Sequence, residues 1–139
     1  MNTKRAIGIL LLICILAVTV AAVSAQEVTI GDVKFNMPDG FEKDESQCGT
    51  IPADDIFEET TYEAYTNGKE SVVINVAKTK VDTLSQPMFD EVEKTINGYE
   101  GVYNETYKSF TYHTDDGYFV SINGVDPELI EQIIIEKEK

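Results

Sequence analysis

The chain has 139 residues, 25 Asp plus Glu against 11 Lys plus Arg, one His, two Cys and no Trp, and a formal net charge of −14. So acidic a surface repels nucleic acid and anionic lipid headgroups and attracts cations and basic partners. Neither a phosphate-binding loop, a nucleophile elbow nor a cysteine–histidine pairing occurs along it.

The chain opens MNTKRAIGILLLICILAVTVAAVSAQE. Lys4 and Arg5 form a basic start, and Ala6 to Ala25 run apolar into small residues, with Val23 and Ala25 at the −3 and −1 positions before a cut that leaves Gln26 first. This is the layout of a signal peptide over residues 1–25. An uncleaved N-terminal anchor is the competing reading, because about 20 apolar residues also span a bilayer. Under either reading Lys4 and Arg5 stay inside and residues 26–139 form a single exported domain, outside the cytoplasmic membrane. The chain then meets a membrane only through the N-terminal segment, and only if that segment is uncleaved. Without Lys4 and Arg5, nine basic residues face twenty-five acidic ones, a formal −16. Cys14 belongs to the apolar segment, where LLICILA lacks the small residues that precede a lipidated cysteine. Cys48 is then alone, so no internal disulfide is available. It reads as a part-buried thiol, with an intermolecular bridge as the alternative.

EVTIGDVKFNMPDGF reads as two short strands broken at Gly31-Asp32 and closed by Pro38-Asp39-Gly40. EKDESQCGTIPADDIFEE is polar and turn-rich, and reads as a surface loop. TTYEAYTNGKESVVINVAK reads as a hairpin whose arms meet in a type I′ turn at Asn67-Gly68. In TLSQPMFDEVEKTI, Leu84, Met88, Val92 and Ile96 stand four apart beside Phe89. That spacing predicts an amphipathic helix, capped by Ser85, with Pro87 in the first turn and Asn97-Gly98 stopping it. Strands follow in YEGVYNE, KSFTYHT and GYFVSIN. DPELIEQIIIEKEK closes as a helix with Asp126 as N-cap, Pro127 first, Glu128 at the positive end of the dipole, and Lys137 and Lys139 toward the other end. The expected fold class is α+β, a mostly antiparallel sheet with two amphipathic helices packed on it, in the order β-β-β-β-α-β-β-β-α.

YHTDDGYFVSING holds the single histidine beside two aspartates. A three-residue loop, Asp115-Asp116-Gly117, sets Phe110 opposite Ile122 and Tyr112 opposite Val120, keeping the large residues on one face. A two-residue loop would split them between faces. Such three-residue loops end in a left-handed residue, for which glycine is best suited. His113 then falls on the polar face with Thr111 and Ser121. The stretch reads as a hairpin corner, and no catalytic residue is assigned.

ADDIFEE offers Asp54, Asp55, Glu58 and Glu59 as hard oxygen ligands, and calcium is the cation such a loop would hold if six or more oxygens converged. No other cofactor is expected. Paired carboxylates for glycoside hydrolysis need a defined separation across a cleft, and the chain has no tryptophan to platform a sugar. Tyr62, Tyr65, Tyr99, Tyr103, Tyr107, Tyr112 and Tyr118 lie in or beside expected strands, as tyrosine favours; those sharing a side would make a binding face. Asn104 in NET fits an N-glycosylation acceptor.

INGYEGVYNE and FTYHTDDGYFVSINGVDPELIEQI resemble the tail of small exported domains of unknown function. There a G-x-x-G strand leads to a hairpin around DGY, a strand ending in Gly and a helix opened by an acidic or Ser/Thr cap and PEEL. VKFNMPDGF is similar to the F-x-I-P-x-G-F opening of short secreted proteins of methanogenic archaea, and to PsbP/Mog1-like α/β/α sandwich domains. The resemblance covers about half of residues 26–139 and implies fold and address; it carries over no catalytic residue. The chain lacks the tryptophan often found in the middle strand of such tails. The expected function is an exported, non-enzymatic binding module whose partner is a protein or cell-envelope component. The alternative is a divalent-cation-binding envelope protein using the acidic loop.

Overall fold

The computed structural model describes residues 25–81 and 91–138. Most of the segment read as an export signal, Cys14, Lys139 and the first part of the expected helix, including Leu84, Ser85, Pro87, Met88 and Phe89, lie outside the described residues. Among those described, no helix is long and apolar enough to cross a membrane.

Ten strands and one helix are described: β1 (Gln26–Ile30), β2 (Val33–Met37), β3 (Glu42–Lys43), β4 (Gly49–Ile51), β5 (Phe57–Thr66), β6 (Ser71–Thr79), β7 (Glu91–Ile96), β8 (Tyr99–Asn104), β9 (Ser109–His113), β10 (Tyr118–Asn123) and α1 (Pro127–Ile133). An antiparallel sheet runs β3-β5-β6-β10-β9-β8-β7, with β4 also paired to β5, and β1-β2 form a separate hairpin. The fold is therefore dominated by antiparallel sheet, as expected, while the described residues contain one helix rather than two.

Alternation along the strands builds the core. Val72, Ile74 and Val76 of β6, Phe110 and Tyr112 of β9, and Val120 and Ile122 of β10 are all buried on one face. Ile30, Phe35 and Met37 of the β1-β2 hairpin and Ile130, Ile133 and Ile134 of the helical segment pack over that face. An isolated bridge between Phe35 and Ile134 ties hairpin to helix end. The expected register at the Asp115-Asp116-Gly117 corner is found: Phe110 pairs with Ile122 and Tyr112 with Val120, and Gly117 has φ +91°.

Several expectations are corrected. Glu91–Ile96 is a strand, not the end of a helix. Residues four apart share a face in a strand as well as in a helix, so Val92 and Ile96 fit either period, and the alternation of Glu91, Glu93 and Thr95 between them is that of a strand. Asn97-Gly98 accordingly forms a hairpin turn between the paired Ile96 and Tyr99, with φ +50° and +88°, the signs a type I′ turn needs at both positions. The other Asn-Gly behaves differently. Thr66 pairs with Ser71, so the corner is Gly68-Lys69, and Asn67 Oδ1 accepts from the N–H groups of Lys69 (2.8 Å) and Glu70 (2.7 Å). The register is displaced by two residues, which leaves every side chain on its expected face.

The third correction concerns residues 42–59, expected as a loop. They hold β3, β4, the start of β5 and a 3-10 turn, Glu45–Gln47. Asp44 caps that turn by accepting from Ser46 N at 3.1 Å. Two- and three-residue strands are too short to display a period. The final helix is also shorter than expected, ending at Ile133. Asn97 Nδ2 donates to the carbonyls of Glu131 (2.7 Å) and Ile134 (2.8 Å), taking acceptors that a helix end leaves open. Asp126 stands at the N-cap position but makes no side-chain capping bond; its carboxylate pairs with Lys108 Nζ at 3.3 Å. Lys137 is thus not a helix-end residue.

Candidate functional site

The early termination of α1 turns residues 134–138 back across the sheet, where they form one wall of a cleft. The β1-β2 hairpin forms the other wall, and the β9-β10 corner closes the end. The cleft encloses about 600 Å³. Its floor is aromatic: the rings of Tyr99 and Tyr112 lie 4.8 Å apart, tilted by 40°, and Tyr112 stacks on Phe110 at 5.5 Å. Tyr112 is only 2% exposed, yet it lines the cleft, and its hydroxyl donates to no described residue. Burial, with a smaller contribution from Tyr99, pushes the Tyr112 phenol well above its ordinary range, so it stays a protonated donor.

The C-terminal wall is pinned to the β7-β8 turn. Lys137 N donates to Asn97 O at 2.9 Å, and Lys137 lies so close to Gly98 that a Cβ there would come within 3.0 Å of the lysine Cβ. From this anchor the Lys137 ammonium reaches into the cleft, 5.5 Å from the Tyr99 ring centroid and 3.2 Å from Asp115 Oδ1. Burial pushes the Tyr99 phenol up, with Lys137 opposing. At the corner, Thr114 Oγ1 donates to Asp116 Oδ1 at 2.7 Å and accepts from Tyr118 N at 3.0 Å. Tyr118 OH in turn contacts Asp32 Oδ2 at 3.4 Å. The corner is therefore a hairpin turn, as expected, and its two aspartates also line the cleft.

His113 is not part of the cleft lining. It shares the far face of the sheet with Thr111 and Ser121, as the register demands, but that face is not purely polar there. The imidazole meets the Phe119 ring edge-on at 5.3 Å, and Phe119 packs on Phe57 at 5.2 Å. Desolvation lowers the His113 pKa from its ordinary 6.5.

The acidic loop does not gather into a cage. Among the described residues no group of three or more His, Cys, Asp or Glu is placed to hold a metal ion. Asp54 is instead engaged by its own backbone. Its Oδ1 accepts from Ile56 N and Phe57 N, both at 2.8 Å, while Lys80 Nζ donates to its carbonyl at 2.7 Å. Asp55, Glu58 and Glu59 are exposed. The Phe57 N–H, then that of Ile56, hold the Asp54 carboxyl below its ordinary 3.8. A carboxylate depressed in the folded state adds stability that is complete above its unfolded pKa and is lost as pH falls through its folded value. Thermal melts from about pH 6 to about pH 2 are therefore expected to show wild type above Asp54→Asn at the upper end, with the gap closing on acidification. A gap independent of pH would show that the charge on Asp54 adds nothing.

The tyrosines do not share one face. Tyr65, Tyr103 and Tyr112 are buried, Tyr62, Tyr99 and Tyr118 are half-buried, and Tyr107 projects from the β8-β9 turn at 74% exposure. Asn104 ends β8, half-buried, and its Oδ1 accepts from Tyr107 N at 3.0 Å. Cys48 is half-buried; its thiol donates to Asp44 O at 3.2 Å and accepts from Ala64 N at 3.5 Å. Asp32 and Lys137, which the geometry brings to the cleft, carry no local sequence signal of a site. Tyr99 was visible only as one tyrosine among seven.

No protein-family model, no curated protein and no solved structure matches the chain.

Proposed function

We propose that the chain is an exported, non-enzymatic binding module that meets a protein or cell-envelope component through the cleft beside the β9-β10 corner. Tyr112 carries this reading. A core residue with an unspent donor at the floor of a concave, part-aromatic cleft is what a small binding site requires. The basic start followed by a long apolar run supports an address outside the cytoplasmic membrane, and the likeness of both ends of the domain to small secreted archaeal domains supports the same address. The formal −16 beyond residue 25 favours a partner that is not nucleic acid.

The test is capture from a cell-envelope fraction with the whole chain, wild type against Tyr112→Phe. The variant keeps the ring and removes the hydroxyl. A component retained by wild type and lost by the variant, with unchanged circular dichroism, is the expected result. Equal retention by both proteins would take the cleft out of the function.

A further inference from the structure

We infer that the cleft takes the basic side chain of a partner polypeptide, and that Lys137 of the chain itself fills that side chain's place while no partner is bound. The inference rests on the cleft being the binding site. Six carboxylates line it: Glu27, Asp32, Asp115, Asp116, Glu136 and Glu138. Two ammonium groups, those of Lys34 and Lys137, offset them only in part, and Lys34 is already turned to Glu27 at 3.9 Å. The cleft therefore stays anionic after its internal pairing, and a cation is drawn to it.

What kind of cation fits is written in the position of Lys137. Its ammonium sits between a carboxylate at 3.2 Å and an aromatic ring at 5.5 Å, the arrangement that recognises ammonium and guanidinium groups. The contact is built to be exchanged. The Lys137 backbone is anchored by Asn97, so the side chain can swing away without moving the wall, and it remains 35% exposed. An ion pair so exposed holds only weakly. Tyr112 narrows the ligand further: its protonated hydroxyl donates to no described residue and can donate to an acceptor on the ligand. A polypeptide supplies one as a backbone carbonyl, while a polyamine has only donors.

The experiment is a titration of the whole chain with acetyl-Gly-Lys-Gly-amide, following the Tyr99 and Tyr112 ring signals by NMR. Lys137→Met is expected to bind about two- to fivefold tighter than wild type, the range covered by one exposed cation–aromatic contact. Lys69→Met makes the same charge change in the β5-β6 turn and is expected to bind like wild type. Asp115→Asn is expected to weaken binding, and the peptide with an acetylated lysine is expected not to bind. Equal affinities for Lys137→Met and Lys69→Met would overturn the placeholder role. Equal binding of the acetylated peptide would overturn cation recognition while leaving the cleft as a site. Spermidine binding as tightly as the peptide would move the ligand to a polyamine and overturn the polypeptide assignment. No response of either tyrosine to any probe overturns the inference, and Tyr112-dependent envelope capture would then decide separately whether the cleft is a site.

Discussion

Tyr112→Ala is expected to lower stability by about 4 kcal/mol, the middle of the range for truncating a buried aromatic. For a domain of this length that corresponds to a melting temperature lower by about 15 °C. The side chain is 2% exposed and its ring contacts both Phe110 and Tyr99, so truncation leaves a cavity lined by aromatic groups that strand backbones hold apart. Tyr112→Phe keeps those contacts. Since the hydroxyl donates to no described residue, its removal is expected to shift stability by only about 0.5 kcal/mol. Thermal or urea unfolding of the two variants separates a ring that serves the fold from a hydroxyl that serves the cleft. A phenylalanine variant as unstable as the alanine one would show that the hydroxyl is structural and would remove the main support for the cleft as a binding site.

Gly101→Val is expected to cost about 3 kcal/mol, at the upper end for overpacking a well-packed interior. Gly101 pairs with Tyr112 on one side and Lys94 on the other, and its missing side chain leaves room for the Phe110 ring. A Cβ built there would stand 2.9 Å from Phe110 Cζ and 3.0 Å from Cε1, and would also run into the Thr111 carbonyl. A ring can rotate away, but a strand carbonyl moves only with its ladder. The expected result is a lower urea midpoint with an unchanged slope, the mark of lost stability without a change in the surface exposed on unfolding. A midpoint equal to wild type would mean that the β8-β9 pairing is not as described. Gly124 offers a comparison at the far end of β10, where a Cβ would meet Ser71 O at 2.6 Å in a residue with φ +101°.

Local chemistry was most legible where a single constraint acted alone. The corner at Asp115-Asp116-Gly117 was readable because only one loop length keeps Phe110, Tyr112, Val120 and Ile122 together on a buried face. The segment ending in Ile96 is ambiguous in sequence because four-residue spacing satisfies a period of 3.6 and a period of 2 equally well. Neither Asn-Gly pair takes its expected role. Both offer residues tolerant of positive φ, and tolerance does not say whether a helix, a tight hairpin or a longer turn will use it. At Asn97-Gly98 the direct pairing of Ile96 with Tyr99 decided for a hairpin. At Asn67 the side chain took the place of a backbone acceptor and moved the corner on by one residue.

By itself, then, the amino-acid sequence determined the acidic charge, the alternation that builds a one-sided antiparallel sheet, and the register of its β9-β10 hairpin. Each is a property of composition or of residues close together in the chain. Only the tertiary structure decided that Glu91–Ile96 would join the sheet as a strand, that α1 would stop at Ile133, and that a cleft would form. The cleft draws Asp32, Tyr99, Tyr112, Asp115 and Lys137 from four separate stretches. They meet because the β1-β2 hairpin and Ile130, Ile133 and Ile134 of the helical segment pack over the same apolar face of the sheet, leaving between the hairpin and residues 134–138 a gap that has no counterpart in any short run of sequence.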